Sequence, residues 1–186
     1  MSKLSLVLLA LVSFAACSNG SPTAPSADGI ISAARGGVSP APGVYALSFL
    51  SQVNGAWTEV QTLPTRTAYL MLRAYVTNSA GQPATAGSVT IQYCSYGGVK
   101  NDINRPDEAP MEACLAGTAT WVRLASRSVT AGGCPDFGAG LLPGYVCTEF
   151  PTVQIPRTVG FRAVYQPKGS SIAAGTAGPA NFTWVG

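Results

Sequence analysis

Short runs of alternating apolar and polar side chains constrain this chain more than any other feature. Residues 67–77 (TAYLMLRAYVT) place Leu70, Leu72, Ala74 and Val76 on one face of a strand and Tyr69, Met71, Arg73 and Tyr75 on the other. Residues 88–94 (SVTIQYC) alternate again, with Val89, Ile91 and Tyr93 directed inward. Residues 44–53 and 56–61 read as two strands joined at Asn54-Gly55, the strongest two-residue hairpin signal. Residues 118–124, 159–165 and 181–185 continue the pattern, with prolines mostly in turns or at strand margins. Long runs of helical period are absent. Many short strands broken by Gly and Pro predict an all-β, antiparallel β-sandwich rather than an α/β fold.

The amino terminus reads differently. Lys3 is followed by an almost unbroken apolar run, residues 4–16, and then by Cys17. A positive start, a short apolar stretch and small residues before a cut are the anatomy of a secretory signal peptide, predicted here over residues 1–16. The run is too short to span a bilayer, which takes roughly 20 residues. Phe14-Ala15-Ala16-Cys17 resembles the bacterial lipobox, in which the cysteine thiol is acylated and becomes the new first residue. The resemblance implies lipidation at Cys17 and a membrane tether, because two acyl chains anchor stably where one binds only marginally. Ser18 in place of Asp leans, by the same resemblance, towards the outer membrane of a bacterial envelope. Residues 18–43 are dominated by Gly, Ser and Pro and are expected to form a spacer, since such a segment buries too little apolar surface to offset its ordering entropy. The folded domain is expected over residues 44–186, long enough for one adequate core.

Composition excludes several classes of function. The net charge is only +3, and charged residues make up 10% of the chain, too few and too scattered for a nucleic-acid face. Histidine is absent, which removes the commonest general base and every Ser/His or Cys/His nucleophile system. Neither an S-x-x-K sequence nor a phosphate-binding glycine loop occurs. A non-enzymatic protein without a cofactor is therefore expected.

With Cys17 assigned to the tether, Cys94, Cys114, Cys134 and Cys147 remain. An even number of cysteines in an exported chain implies disulfides. Of the three connectivities, Cys94–Cys114 and Cys134–Cys147 are favoured, because each pair brackets one long loop between strand-like segments.

Two passages carry a family resemblance. LRAYVTNSAGQPATAGSVTIQYC and TVGFRAVYQPKGSSIAAGTAGPANFTWV are similar to the bacterial immunoglobulin-like (Big, invasin-type) modules: a strand, a polar Gly/Pro turn and a V-T-I strand in the first, and a terminal hairpin in the second. The resemblance implies an immunoglobulin-like sandwich used for surface display, adhesion or spacing, and it implies no catalytic residues. Residues 95–149 depart from the short module and read as elaborated, disulfide-stapled loops.

Three groups of side chains are candidates for binding. Asp102, Asp107, Glu108 and Glu112 form an acidic cluster that calcium, with its six to eight oxygen ligands, would suit, though the spacing is not that of an EF-hand and acid clusters without a motif are usually solvated loops. Trp121 and Trp184 are candidate sugar-stacking aromatics, but a strand tryptophan is more often core, and Trp121 is expected to be the buried tryptophan of the sandwich. The loops of residues 95–149 are the expected recognition surface, since loops on a rigid scaffold carry binding. The leading expectation is a lipid-anchored envelope module for adhesion or protein interaction. The alternatives are an assembly subunit joined by strand addition at an open edge near Val44 or Asn181, or a small carbohydrate-binding domain.

Overall fold

The structure, a computed structural model, describes residues 41–67, 69–98, 108–129, 134 and 144–186. The chain divides into two units, Met1–Gly37 and Val38–Gly186, and every described residue belongs to the second. Cys17, the signal peptide and most of the expected spacer lie outside the described residues.

The described elements are β1 (Gly43–Val53), β2 (Ala56–Glu59), β3 (Thr62–Pro64), β4 (Leu70–Asn78), β5 (Ser88–Ser95), the short helix α1 (Met111–Leu115), β6 (Thr120–Ser128), β7 (Tyr145–Phe150), β8 (Arg157–Gln166) and β9 (Gly175–Val185). They form a four-stranded sheet in the order β2-β1-β4-β7 and a five-stranded sheet in the order β3-β9-β8-β5-β6. Neighbours are antiparallel except β3, which runs parallel to β9. Two such sheets packed face to face make an immunoglobulin-like β-sandwich.

The alternation seen in the sequence is what builds the core. Leu70, Leu72, Ala74 and Val76 of β4 meet Val89, Ile91 and Tyr93 of β5 in one buried cluster that β7, β8 and β9 complete. Aromatic rings occupy the middle. Phe150 of β7 meets Phe161 of β8 edge-on at 5.0 Å between centroids, and also contacts Tyr93 at 5.7 Å and Trp184 at 5.5 Å. Phe49 of β1 adds contacts to Phe161 at 5.6 Å and Phe182 at 5.0 Å. The β1–β2 hairpin turns at Asn54 and Gly55, with φ of 52° and 81°, the doubly positive geometry that Asn-Gly favours.

Several elements differ from expectation. β7 lies inside the stretch read as loop, yet it is a core strand beside β4. β9 begins at Gly175 rather than near Asn181, because a register shift opposite residues 161–163 absorbs extra residues and lets the ladder continue. Ala41, assigned to the spacer, already exchanges backbone bonds with the last hairpin, donating to Ser171 O at 2.8 Å and accepting from Ala173 N at 2.9 Å. The buried tryptophan is Trp184, not Trp121. Val122 pairs with inward-facing Tyr93, so Trp121, paired with Cys94, faces outward.

Because Phe150 touches three of the largest core rings, Phe150→Ala should cost about 3–5 kcal/mol. Guanidinium denaturation at unchanged m-value measures it.

Candidate functional site

Each disulfide lies on the outer face of a different sheet. Cys94–Cys114, with Cα atoms 6.0 Å apart, ties α1 to β5. Cys134–Cys147, with Cα atoms 4.7 Å apart, ties the connection before β7 to that strand. Both pairings are the expected ones, and such bonds suit an oxidising compartment. Sequence separations of 20 and 13 residues correspond, on the chain-entropy account, to about 3 kcal/mol each. Around each bond a small apolar cluster forms. Cys94, Ala109 and Cys114 gather Ala113, Ala119 and Trp121, while Cys134 and Cys147 gather Leu50, Met71, Trp57 and Tyr145.

α1 sits directly on Gly160 of β8. A Cβ at that position would lie 2.5 Å from the backbone of Met111, so glycine is what permits the close approach. Asn181 completes the seat: its Oδ1 accepts from Met111 N at 3.1 Å, and its Nδ2 donates to Glu112 Oε1 at 3.2 Å.

Beside α1, the outer face of the five-stranded sheet carries a cross-strand row. Gln92 of β5 pairs in register with Arg123 of β6 on one side and Arg162 of β8 on the other. Arg162 Nε donates to Gln92 Oε1 at 2.7 Å, and its guanidinium lies 4.4 Å over the Trp121 ring. Partial burial lowers the pKa of Arg162. The opposite face of the sandwich also carries an arginine, but a satisfied one. Arg73 donates to Ser48 Oγ at 3.0 Å and to Glu59 Oε1 at 2.5 Å, and lies 5.5 Å from the Tyr145 ring, which stacks on Tyr75 at 4.1 Å. Burial, and then the neighbouring Tyr145, raise the Tyr75 pKa above the ordinary value.

The acidic candidates separate. Asp102 and Asp107 lie outside the described residues. Glu108 is turned into the protein, 3.6 Å from Arg157, with side-chain exposures of 2% and 8%. Glu112 is engaged with Asn181. Among the described residues no group of three or more His, Cys, Asp or Glu is arranged to hold a metal ion. Trp184, at 2% exposure within the aromatic core, has no surface on which a sugar could stack, and that role is withdrawn for it. Trp121 is half-buried, and Arg162 lies over its ring. Asn181 pairs with Gly160 of β8 on one side, while β3 reaches β9 only over Thr183–Val185 and has no register partner for Asn181. Near Val44 the edge is open: β2 pairs with β1 only over Leu50–Val53, and Val44 is 54% exposed.

The sequence reading missed the Arg123–Gln92–Arg162 row. Outward parity of Gln92 and Arg162 was legible in their strands, but their adjacency depends on pairing β5 with β8, which are distant in the chain. Among the described residues no helix is long and apolar enough to cross a membrane. No family model, no curated protein and no solved structure matches this chain.

Two outcomes follow from this geometry. Gly160→Ala forces the added methyl against Met111, so a loss of about 1–3 kcal/mol is expected, with faster reduction of Cys94–Cys114 in a thiol-trapping time course. Tyr75 holds its proton more tightly folded than unfolded. Its contribution is therefore intact below about pH 10 and declines as pH rises through that region. Tyr75→Phe should flatten the alkaline fall in stability, read by denaturation between neutral and strongly alkaline pH.

Proposed function

We propose that the protein is a lipid-anchored, non-enzymatic interaction module of a bacterial envelope, a Big-like immunoglobulin domain that engages a protein partner. The observation that carries the reading is the placement of both disulfides. Neither crosses the core. One holds α1 and the other holds Cys134 against an outer sheet face, so that these described pieces of the connecting chain are covalently fixed to the scaffold. A pre-ordered surface loses less entropy on binding, so its contacts convert more fully into affinity. The lipobox-like FAAC and the Gly/Ser/Pro-rich residues 18–43 support the tethered part of the reading. One observation favours the assembly alternative as a second reading: among the described residues, the half of β1 that β2 leaves unpaired has no strand on that side.

In cells, radiolabelled palmitate should enter the wild-type chain and not Cys17→Ser; equal labelling removes the anchor. Purified protein should bind a bacterial envelope fraction saturably. Binding should fall after disulfide reduction and after the fraction is treated with protease. Binding that survives protease treatment removes the protein-partner reading, and binding lost only when the β1 edge is blocked by Leu47→Pro, whose N–H faces the unpaired side, favours strand addition.

A further inference from the structure

The Arg123–Gln92–Arg162 row is rich in donors and poor in acceptors. Arginine only donates, so the bond from Arg162 Nε fixes Gln92 with its oxygen towards β8. The Gln92 amide nitrogen is thereby left to donate elsewhere, and its other cross-strand neighbour, Arg123, is a donor too. The terminal nitrogens of Arg162 have no hydrogen-bond or ion-pair partner among the described residues, and Arg123, which is exposed, has none either. No carboxylate among the described residues neutralises the pair, whereas Arg73 and Arg157 each have one. Two strand spacings set the arginines about 10 Å apart. Arg162 is held in place by Gln92 and by the Trp121 ring, so its planar fork is ordered before any ligand arrives.

What is missing from this row is an acceptor with negative charge. We propose that the outer face of β6, β5 and β8 is a receptor site for carboxylates on an extended acidic polypeptide, with Arg162 as the ordered anchor, Gln92 as the central donor and Arg123 as the outer contact. The polypeptide source is favoured by what surrounds the row. Leu115, 64% exposed, follows the cysteine bonded to Cys94, and Tyr96, 51% exposed, lies just beyond Ser95. Both therefore sit at the Cys94–Trp121 end of the row, where they offer apolar contacts to peptide side chains. Arginine, tryptophan and tyrosine together are the composition of protein-binding hot spots. A glycan would instead need an open aromatic face, and Arg162 occupies that of Trp121. The proposal rests on the interaction-module reading and names the chemistry of its partner.

The test uses the full chain carrying Cys17→Ser, with both disulfides formed, titrated with poly-L-glutamate, polygalacturonate and inorganic phosphate. Nuclear magnetic resonance reads the Gln92 side-chain amide and the Trp121 indole. Poly-L-glutamate should bind saturably and shift both signals. Arg123→Gln should weaken it about tenfold, the equivalent of one charge-assisted hydrogen bond. Gln92→Glu places a carboxylate in the row itself and should abolish binding while leaving the thermal midpoint unchanged or raised. Lys168→Gln, which removes the same charge from a distant turn, should leave the affinity within about twofold, as expected of an exposed, unpaired charge. Absence of saturation, or signals that do not move, overturns the proposal. So does an equal loss in Lys168→Gln, which would mean that bulk charge does the work. Tighter binding of polygalacturonate overturns the polypeptide source, and phosphate binding as tight as poly-L-glutamate overturns carboxylate recognition. Should the row fail while the chain still binds a protease-sensitive envelope partner, only the site falls and the interaction-module reading stands.

Discussion

The contact between Phe150 and Phe161 is the one on which the rest of the sandwich depends. These rings come from opposite sheets and meet edge to face at 5.0 Å, in the middle of a cluster that includes Phe49, Tyr93, Phe182 and Trp184. Antibody-type sandwiches cross-link their sheets through a disulfide packed on a tryptophan. Neither disulfide here does so. Inter-sheet cohesion therefore falls to aromatic burial, which combines large apolar area with a preferred ring geometry. The chain also carries few charges with which to reinforce the fold by other means.

That division of labour leaves the cysteines available for the outside. Met71 illustrates the result. Its parity points away from the core, yet it is 1% exposed, because the Cys134–Cys147 bond covers it. Cys94 is likewise outward by parity and fully buried, under α1. Parts of both sheets are thus buried on two sides. Each outer cluster is small and would be marginal without its covalent bond, since a few apolar contacts barely offset the ordering of a connecting segment. The bond makes the cover permanent, and the side chains next to it inherit a fixed background.

How far the fold was legible follows from this arrangement. β4 and β5 were readable because one face of each is wholly apolar. The hairpin was readable because Asn-Gly has one strong local preference, and the disulfides because each pair brackets one long loop between strand-like segments. β7 was not. In YVCTEF the alternation is blurred by Cys147, an apolar outward residue buried in the disulfide cluster, and by Thr148, a polar residue facing inward. β3 has only three residues, too few for any period to show. Trp121 was misplaced for a related reason. The outward position of Trp121 is set by its pairing with Cys94, a cysteine buried on the outer face, and no local pattern announces that pairing. The ion pair of Glu108 and Arg157 joins segments far apart in sequence, so reading the acidic cluster locally could not show that Glu108 turns inward.

The arginines sort by what they face. Arg157 is buried and must have a carboxylate, because an unpaired charge there would be strongly destabilising. Arg73 is half-exposed and has Glu59 across the sheet. Arg162 is also partly desolvated, yet its supports are neutral: an amide oxygen and an aromatic face. Those supports fix its orientation without cancelling its charge. A protein that merely needed to stabilise β8 would do better with an uncharged side chain at that place, since desolvating a guanidinium costs free energy that an amide and a ring offset only in part. Retaining the charge, ordered and, among the described residues, uncancelled beside a second arginine, is reasonable when the compensating anion belongs to another molecule.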